Sequence, residues 1–153
     1  MKPNIVLVPL DGSRLAEGAL ATALGLAREG AALVLLRAVE AHGTPFADPA
    51  AAQVAAIREA EDYLAGVAAR LRDAGALEVE TSVWYGPPAE AIADAARYRK
   101  ADLIVMSTHG RSGLGRLVLG SVAESVLRST STPILLLRPA APAPAAAREL
   151  TRV

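Results

Sequence analysis

The strongest chemical signal in the chain is a glycine-rich stretch over residues 106–121, which reads MSTHGRSGLGRLVLGS. It follows an apolar run and ends in Gly120 and Ser121, where the pattern predicts the start of a helix. Glycines let the backbone pass close to a bound group, and the free amides at a helix start attract anions. Because Arg111 and Arg116 add positive charge and the stretch contains no acidic residue, phosphate is the ligand it favours.

The residue types and spacing of this stretch also bear on several other interpretations. Ser121 and Glu124 fit a capping box, which needs no ligand, and this role and anion binding can coexist. A P-loop is excluded because the chain contains no GxxxxGK[ST]. The central glycines are one residue short of GxGxxG and follow the wrong strand, which argues against a Rossmann fingerprint. His42 and His109 are too isolated to suggest a metal site or a catalytic triad.

Asp11 is the second candidate, directly after the apolar run of residues 4–9. A carboxylate at a strand end could accept hydrogen bonds from a ribose or an adenine, or help to hold a cation. Asp-Gly-Ser is also ordinary turn chemistry, and for Asp11 taken alone the turn role is favoured. If Asp11 lies opposite the glycine-rich stretch at one edge of a sheet, the ligand role gains weight.

Apolar runs alternating with amphipathic stretches predict the elements that must position these residues. Buried strands are predicted at 4–9, 32–39, 102–106 and 133–137, and a half-exposed edge strand at 78–84. Helices are predicted at 13–29, 50–74, 88–99 and 121–130. This alternation predicts the α/β class, with one open parallel sheet and helices on both faces. In such sheets ligands bind beyond the carboxyl ends of the strands, where the strand order reverses.

Composition limits the class of protein further. The 16 basic and 16 acidic side chains cancel, which argues against a dedicated nucleic-acid binder. The absence of cysteine excludes a disulfide framework and a thiolate nucleophile. With no signal peptide and no apolar run long enough to span a bilayer, we expect a cytoplasmic protein without a membrane partner. Residues 139–153 begin with an almost pure Pro/Ala run, so we expect a domain over 1–138 and a C-terminal tail.

Three stretches of the chain resemble the universal stress protein family: IVLVPLDGS at 5–13, MSTHGRSGLGRLVLGSVAE at 106–124, and STPILLL at 131–137. The resemblance covers roughly residues 3–138. It implies an adenine-nucleotide alpha-hydrolase-like fold with five parallel strands in the order 3-2-1-4-5. It also implies a homodimeric stress-response module that binds ATP, with AMP or ADP as possible ligands and Mg²⁺ or Mn²⁺ held through the phosphates.

The ATP-binding members of that family carry G-x2-G-x9-G-[S/T]. Here serine replaces the first glycine, in the pattern Ser107-x2-Gly110-x9-Gly120-Ser121, and we expect weaker rather than abolished binding. By the resemblance, Asp11 and the backbone near Ala38 hold the adenosine end. The nucleotide-binding residues implied are Pro9, Leu10, Asp11, Ser13, Ala38, Met106, Ser107, Gly110, Arg111, Gly120, Ser121 and Val122.

The last predicted strand suggests how two copies would associate. In the expected order it lies at a sheet edge, and its residues are apolar on both faces, so a matching strand from a second copy would cover Ile134, Leu135, Leu136 and Leu137. No general base or catalytic lysine accompanies the glycine-rich stretch, so we assign no catalytic residue and expect slow ATP hydrolysis at most. The alternatives are a nucleotide-free dimer that acts through protein contacts and, less favoured, a nucleotidyl transferase.

Overall fold

The structure, a computed structural model, describes residues 2–40, 45–108 and 119–138. Its strands are β1 (Ile5–Pro9), β2 (Ala32–Val39), β3 (Val79–Tyr85), β4 (Leu103–Ser107) and β5 (Ile134–Leu137). Its helices are α1 (Arg14–Glu17), α2 (Leu20–Arg28), α3 (Pro49–Asp73), α4 (Pro88–Arg99) and α5 (Ser121–Ser129). The strands pair in parallel as one sheet, in the order β3-β2-β1-β4-β5. The predicted fold class and strand order are confirmed.

The sheet is covered on both faces because its strands are apolar on both sides. Successive side chains of a strand point to opposite faces. Val6 and Val8 therefore pack with α2 and α3 in one core, whereas Leu7 packs with α4 and α5 in the other. The middle of the central strand, Val6 to Val8, is fully buried as a result, and Pro9 at its carboxyl end is partly buried.

The first predicted helix is wrong in one respect, since the chain forms two helices where we predicted one over 13–29. Ser13 caps α1 as expected, with its Oγ accepting a hydrogen bond from the Ala16 N–H at 3.1 Å. The helix ends at Gly18, whose N–H bonds back only three residues, to the Leu15 carbonyl at 3.0 Å. Such a tight turn is common at helix ends, and glycine is a poor helix former. The break places α1 beside β4 and α2 beneath β1 and β2.

The two edge strands differ in polarity. β3 carries exposed Glu80 and Thr81, as predicted for a protected edge. β5 pairs only with β4 among the described residues, and its apolar side chains are partly exposed. In the part of the chain that the structure describes, no helix is long and apolar enough to cross a membrane. The predicted C-terminal tail at 139–153 lies outside the described residues.

Candidate functional site

The carboxyl ends of β1 and β4 lie side by side at the point where the strand order reverses. In the sheet, β2 and β3 lie on one side of β1, and β4 and β5 lie on its other side. Beyond β1 the Leu10 N–H still donates to the Leu36 carbonyl at 2.8 Å, and beyond β4 the Thr108 N–H donates to the Leu137 carbonyl at 2.9 Å. Beyond its carboxyl end, β1 therefore stays hydrogen-bonded to β2, and β4 stays hydrogen-bonded to β5, on either side of the cleft between β1 and β4.

A cavity of about 200 Å³ occupies this cleft. Nine of the twelve residues predicted to form the site line it: Pro9, Leu10, Asp11, Ala38, Met106, Ser107, Gly120, Ser121 and Val122. The remaining three are Ser13, which caps α1 instead, and Gly110 and Arg111, which lie outside the described residues. The structure thus brings together the turn after β1, the end of β4 and the start of α5.

Six further residues line the cavity without having been predicted: Ala16, Leu36, Pro88, Ile92, Thr108 and Ala123. Leu36 could have been found, because it lies two residues before Ala38 on the same face of β2. Pro88 and Ile92 belong to α4, which is remote in sequence from both strand ends. Only the packing of α4 on the sheet brings them to the cavity, so no local pattern identifies them.

The turn after β1 shows the first of the two roles considered for Asp11, and the ligand role stays a prediction. Its Oδ1 accepts a hydrogen bond from the Ser13 N–H at 2.9 Å, which is the turn role. Gly12 follows with φ +86°, a conformation that favours glycine, and a Cβ there would approach the Arg37 guanidinium to 3.1 Å. Among the described residues Asp11 Oδ2 has no hydrogen-bond partner, and the residue is exposed at the cavity. That oxygen is available to accept a hydrogen bond from a ligand.

The predicted capping box at the start of α5 is wrong. The cap residue is Gly120, with φ −58° and ψ 152°, and no side chain makes a capping hydrogen bond. Ser121 is the first helical residue, one position too late for a cap, and Glu124 pairs instead with Arg128 at 2.8 Å. The first amides of a helix have no partner within the helix. Because they lie at the cavity without a side-chain cap, they offer donors to an anion.

Helix α1, which forms one wall of the cavity, is held to α3 by polar contacts. The Tyr63 hydroxyl donates to Glu17 Oε1 at 2.9 Å, and Arg70 donates to Glu17 Oε2 at 3.1 Å. The guanidinium of Arg37 lies 5.1 Å from the centre of the Tyr63 ring. Burial of the phenol, together with the hydrogen bond to Glu17 and its negative charge, raises the pKa of Tyr63 to about 12. These contacts fix a four-residue helix that could not hold its position alone.

Acidic side chains around the cavity do not gather into a metal site. Across 2–40, 45–108 and 119–138 no group of three or more His, Asp or Glu side chains is placed to hold a metal ion. Among the lining residues that the structure describes, Asp11 is the one acidic residue.

An open parallel sheet with a cavity at its switch point defines an α/β protein of the doubly wound class. Comparison with known proteins identifies the family within that class. The model of the universal stress protein family matches residues 3–138, so the chain belongs to that family.

Individual relatives agree with this assignment. A universal stress protein of Thermus aquaticus is 36% identical over 138 residues, which cover 87% of this chain and 97% of that protein. The crystal structure of a universal stress protein family member from Burkholderia pseudomallei is 36% identical, with a TM-score of 0.72 over 90% of this chain and 96% of that one. The universal stress protein of Archaeoglobus fulgidus in complex with dAMP is 24% identical and shares the fold, with a TM-score of 0.65 over 89% and 98% of the two chains.

Proposed function

We propose that this protein is a cytoplasmic, homodimeric stress-response module that binds an adenine nucleotide, foremost ATP, in the cavity between β1 and β4. The observation that carries the proposal is the meeting of a carboxylate and an uncapped helix start in one cleft. Asp11, which follows β1, and Gly120 with Ser121, at the start of α5, line the same cavity. A nucleotide has hydrogen-bonding hydroxyls at one end and anionic phosphates at the other, which matches this polarity.

We place the phosphates of the nucleotide at the start of α5. The backbone amides of the first turn point toward the helix start, and the helix dipole adds a partial positive charge there. Gly120 has no side chain to keep a phosphate away, and its φ and ψ are not restricted to glycine. We place Arg111 and Gly110, which lie outside the described residues, at the same end by the family resemblance. Mg²⁺ or Mn²⁺ would be bound through the phosphates, not by a protein cluster.

We place the adenosine part of the nucleotide between Asp11 and the end of β2. Asp11 Oδ2 would accept a hydrogen bond from a ribose hydroxyl. Leu36, Ile92 and Met106 provide an aliphatic surface for the base, and the described lining residues include no aromatic side chain. The base would therefore be held by aliphatic contacts and backbone hydrogen bonds near Ala38 instead of by stacking. The dAMP bound to the Archaeoglobus fulgidus relative supports an adenine nucleotide as the kind of ligand to test first.

The dimer is proposed through β5. Leu135 remains 37% exposed, and one edge of the strand has no partner among the described residues. A flat apolar edge of this kind is stable when a second strand covers it. A dimer without nucleotide, acting through protein contacts, is the alternative, and Ser107 in place of the motif glycine is the observation that favours it.

Hydrolysis is not the proposed task. Asp11 is the one described lining residue with a side chain that could act as a general base, and we assign it to the adenosine end, away from the γ-phosphate; the described lining residues include no lysine to polarise that phosphate. We assign the protein to binding and signalling, with slow turnover at most. We also propose that residues 1–138 form the functional domain and that 139–153 are a tail attached to it.

One experiment separates nucleotide binding from the nucleotide-free alternative. The purified protein is denatured, released nucleotide is identified by chromatography, and the melting temperature is followed as Mg-ATP is added. A ligand at 100 times its Kd stabilises by about 2.7 kcal/mol, which raises the melting temperature by several degrees. No released nucleotide and no stabilisation at millimolar Mg-ATP would refute the proposal. Gly120→Val keeps an allowed backbone but fills the phosphate site and makes a poorer helix cap, so the variant should melt a few degrees below the wild type without ligand and gain no stability from Mg-ATP.

A further inference from the structure

The hydroxyl of Ser107 is an unexplained polar group beside the cavity. Its Oγ is buried and has no hydrogen-bond partner among the described residues, although the residue lines the cavity. Burying a hydroxyl without a partner destabilises a protein, so a position of this kind needs a structural reason.

Gly18 lies directly against that hydroxyl. A Cβ built on Gly18 would come within 3.1 Å of Ser107 Oγ, but would be 4.0 Å from Ser107 Cβ, an ordinary contact distance. The backbone at Gly18, with φ −58° and ψ −20°, is in the right-handed helical region that any residue adopts. Glycine is therefore not required here by backbone conformation. Its missing side chain leaves room for two oxygens, the Leu15 carbonyl at 3.0 Å and the Ser107 hydroxyl at 3.1 Å from the added Cβ, and only the hydroxyl belongs to a residue that lines the cavity.

We propose that Gly18 is a positioning residue for the nucleotide cavity, because it leaves the space that holds the Ser107 hydroxyl out of the cleft. Ser107 then presents its Cβ to a ligand and occupies little more of the cleft than an alanine. This inference rests on the proposed function and extends it to a residue that does not line the cavity. A side chain at position 18 would crowd the hydroxyl and favour another rotamer of Ser107, and because Ser107 lines the cavity, we infer that the displaced hydroxyl would take up space in the cleft.

The test is a double-mutant cycle of wild type, Gly18→Ala, Ser107→Ala and the double variant, with Mg-ATP affinity measured by calorimetry. Gly18→Ala should weaken binding about tenfold, the order expected when an added methyl group displaces a packed neighbour. Ser107→Ala serves as the background that lacks the hydroxyl, and the double variant should match Ser107→Ala within about twofold. If removing the Ser107 hydroxyl cancels the loss of affinity caused by Gly18→Ala, the loss comes from the displaced hydroxyl and not from general destabilisation of the fold. The Leu15 carbonyl lies 3.0 Å from the same added Cβ, and strain there would persist in both backgrounds.

The same four proteins are melted without nucleotide. The added methyl group should lower the melting temperature by about 3 °C in the wild-type background and by clearly less in the Ser107→Ala background. Equal effects in both backgrounds, on affinity or on melting, would overturn the inference. If the wild type binds no nucleotide, the proposed function fails, and the melting cycle alone then decides whether Gly18 holds the Ser107 hydroxyl in place.

Discussion

Replacing Val122 by glutamate tests directly whether phosphate binds at the start of α5. Val122 is the second residue of the helix, lines the cavity and is 38% exposed. Losing its partial burial costs about 1 kcal/mol, and a carboxylate in the first turn returns about 0.3–1 kcal/mol through the helix dipole. The free energy of unfolding should therefore change by less than about 1 kcal/mol, while the anion site receives a negative charge.

The effect of Val122→Glu on binding follows from the distance between the two charges. A carboxylate about 5 Å from a phosphate charge, at an effective dielectric constant of about 20, is repelled by about 3 kcal/mol before salt screening. We expect about 2 kcal/mol after screening, a loss of about 30-fold in ATP affinity. Titration calorimetry with ATP, AMP and adenosine measures the effect, and the loss should be largest for ATP and small for adenosine, which carries no phosphate.

Ser125→Glu is the matched control, since Ser125 is exposed one turn further along α5. It adds the same charge about 5 Å further from the helix start, and its effect on affinity should stay below about threefold. If Val122→Glu unfolds normally and binds ATP as tightly as the wild type, the phosphates are not at α5. If both variants weaken binding equally, the effect comes from overall charge and the assigned geometry is wrong.

Three further predictions concern the stability of the scaffold. Asp102→Ala should lower the free energy of unfolding in urea by about 2 kcal/mol, because Oδ2 of Asp102 accepts hydrogen bonds from the N–H groups of Asn4 and Ile5, at 2.8 and 2.9 Å, where β1 begins. Asp94→Ala, the control, removes an exposed ion pair and should lower the free energy of unfolding by less than about 0.5 kcal/mol. The folded state keeps the Tyr63 proton to a pKa of about 12, whereas the unfolded chain loses it near 10. Stability should therefore fall as pH rises from 10 to 12, by about 1 kcal/mol after discounting for solvent screening. Denaturant melts of Tyr63→Phe should lack this alkaline loss, and an identical slope in variant and wild type would contradict the assignment. Lys100 closes α4 with φ 53° and ψ 44°, so Lys100→Gly should raise the melting temperature by about 2 °C, equivalent to about 0.5–1 kcal/mol.

The strands and most of the site could be predicted because their signals are local. Val6 to Val8 form an unbroken apolar run, and each of the two strand ends is followed directly by a polar or glycine-rich stretch. The capping box and the single first helix could not be settled in this way. Ser121 and Gly120 both suit the cap position by residue type, and in the structure Gly120 takes it. At Gly18 the helix ends in a three-residue turn against β4, and that packing is invisible in the helical pattern of residues 13–29.

Proline at the end of β1 contributes to the opening of the sheet at the switch point. β1 pairs with β2 along its whole length, but its pairing with β4 is confined to Val6 and Leu7. In a strand, successive N–H groups point to opposite neighbours, and the Leu10 N–H points to β2. The position of Pro9 therefore faces β4, and proline has no N–H to donate there. Because the ladder cannot continue, β1 and β4 separate beyond Leu7 while each stays bonded to its outer neighbour. Pro9, which cannot extend this pairing, also lines the cavity, so the residue that limits the β1–β4 ladder is part of the site itself.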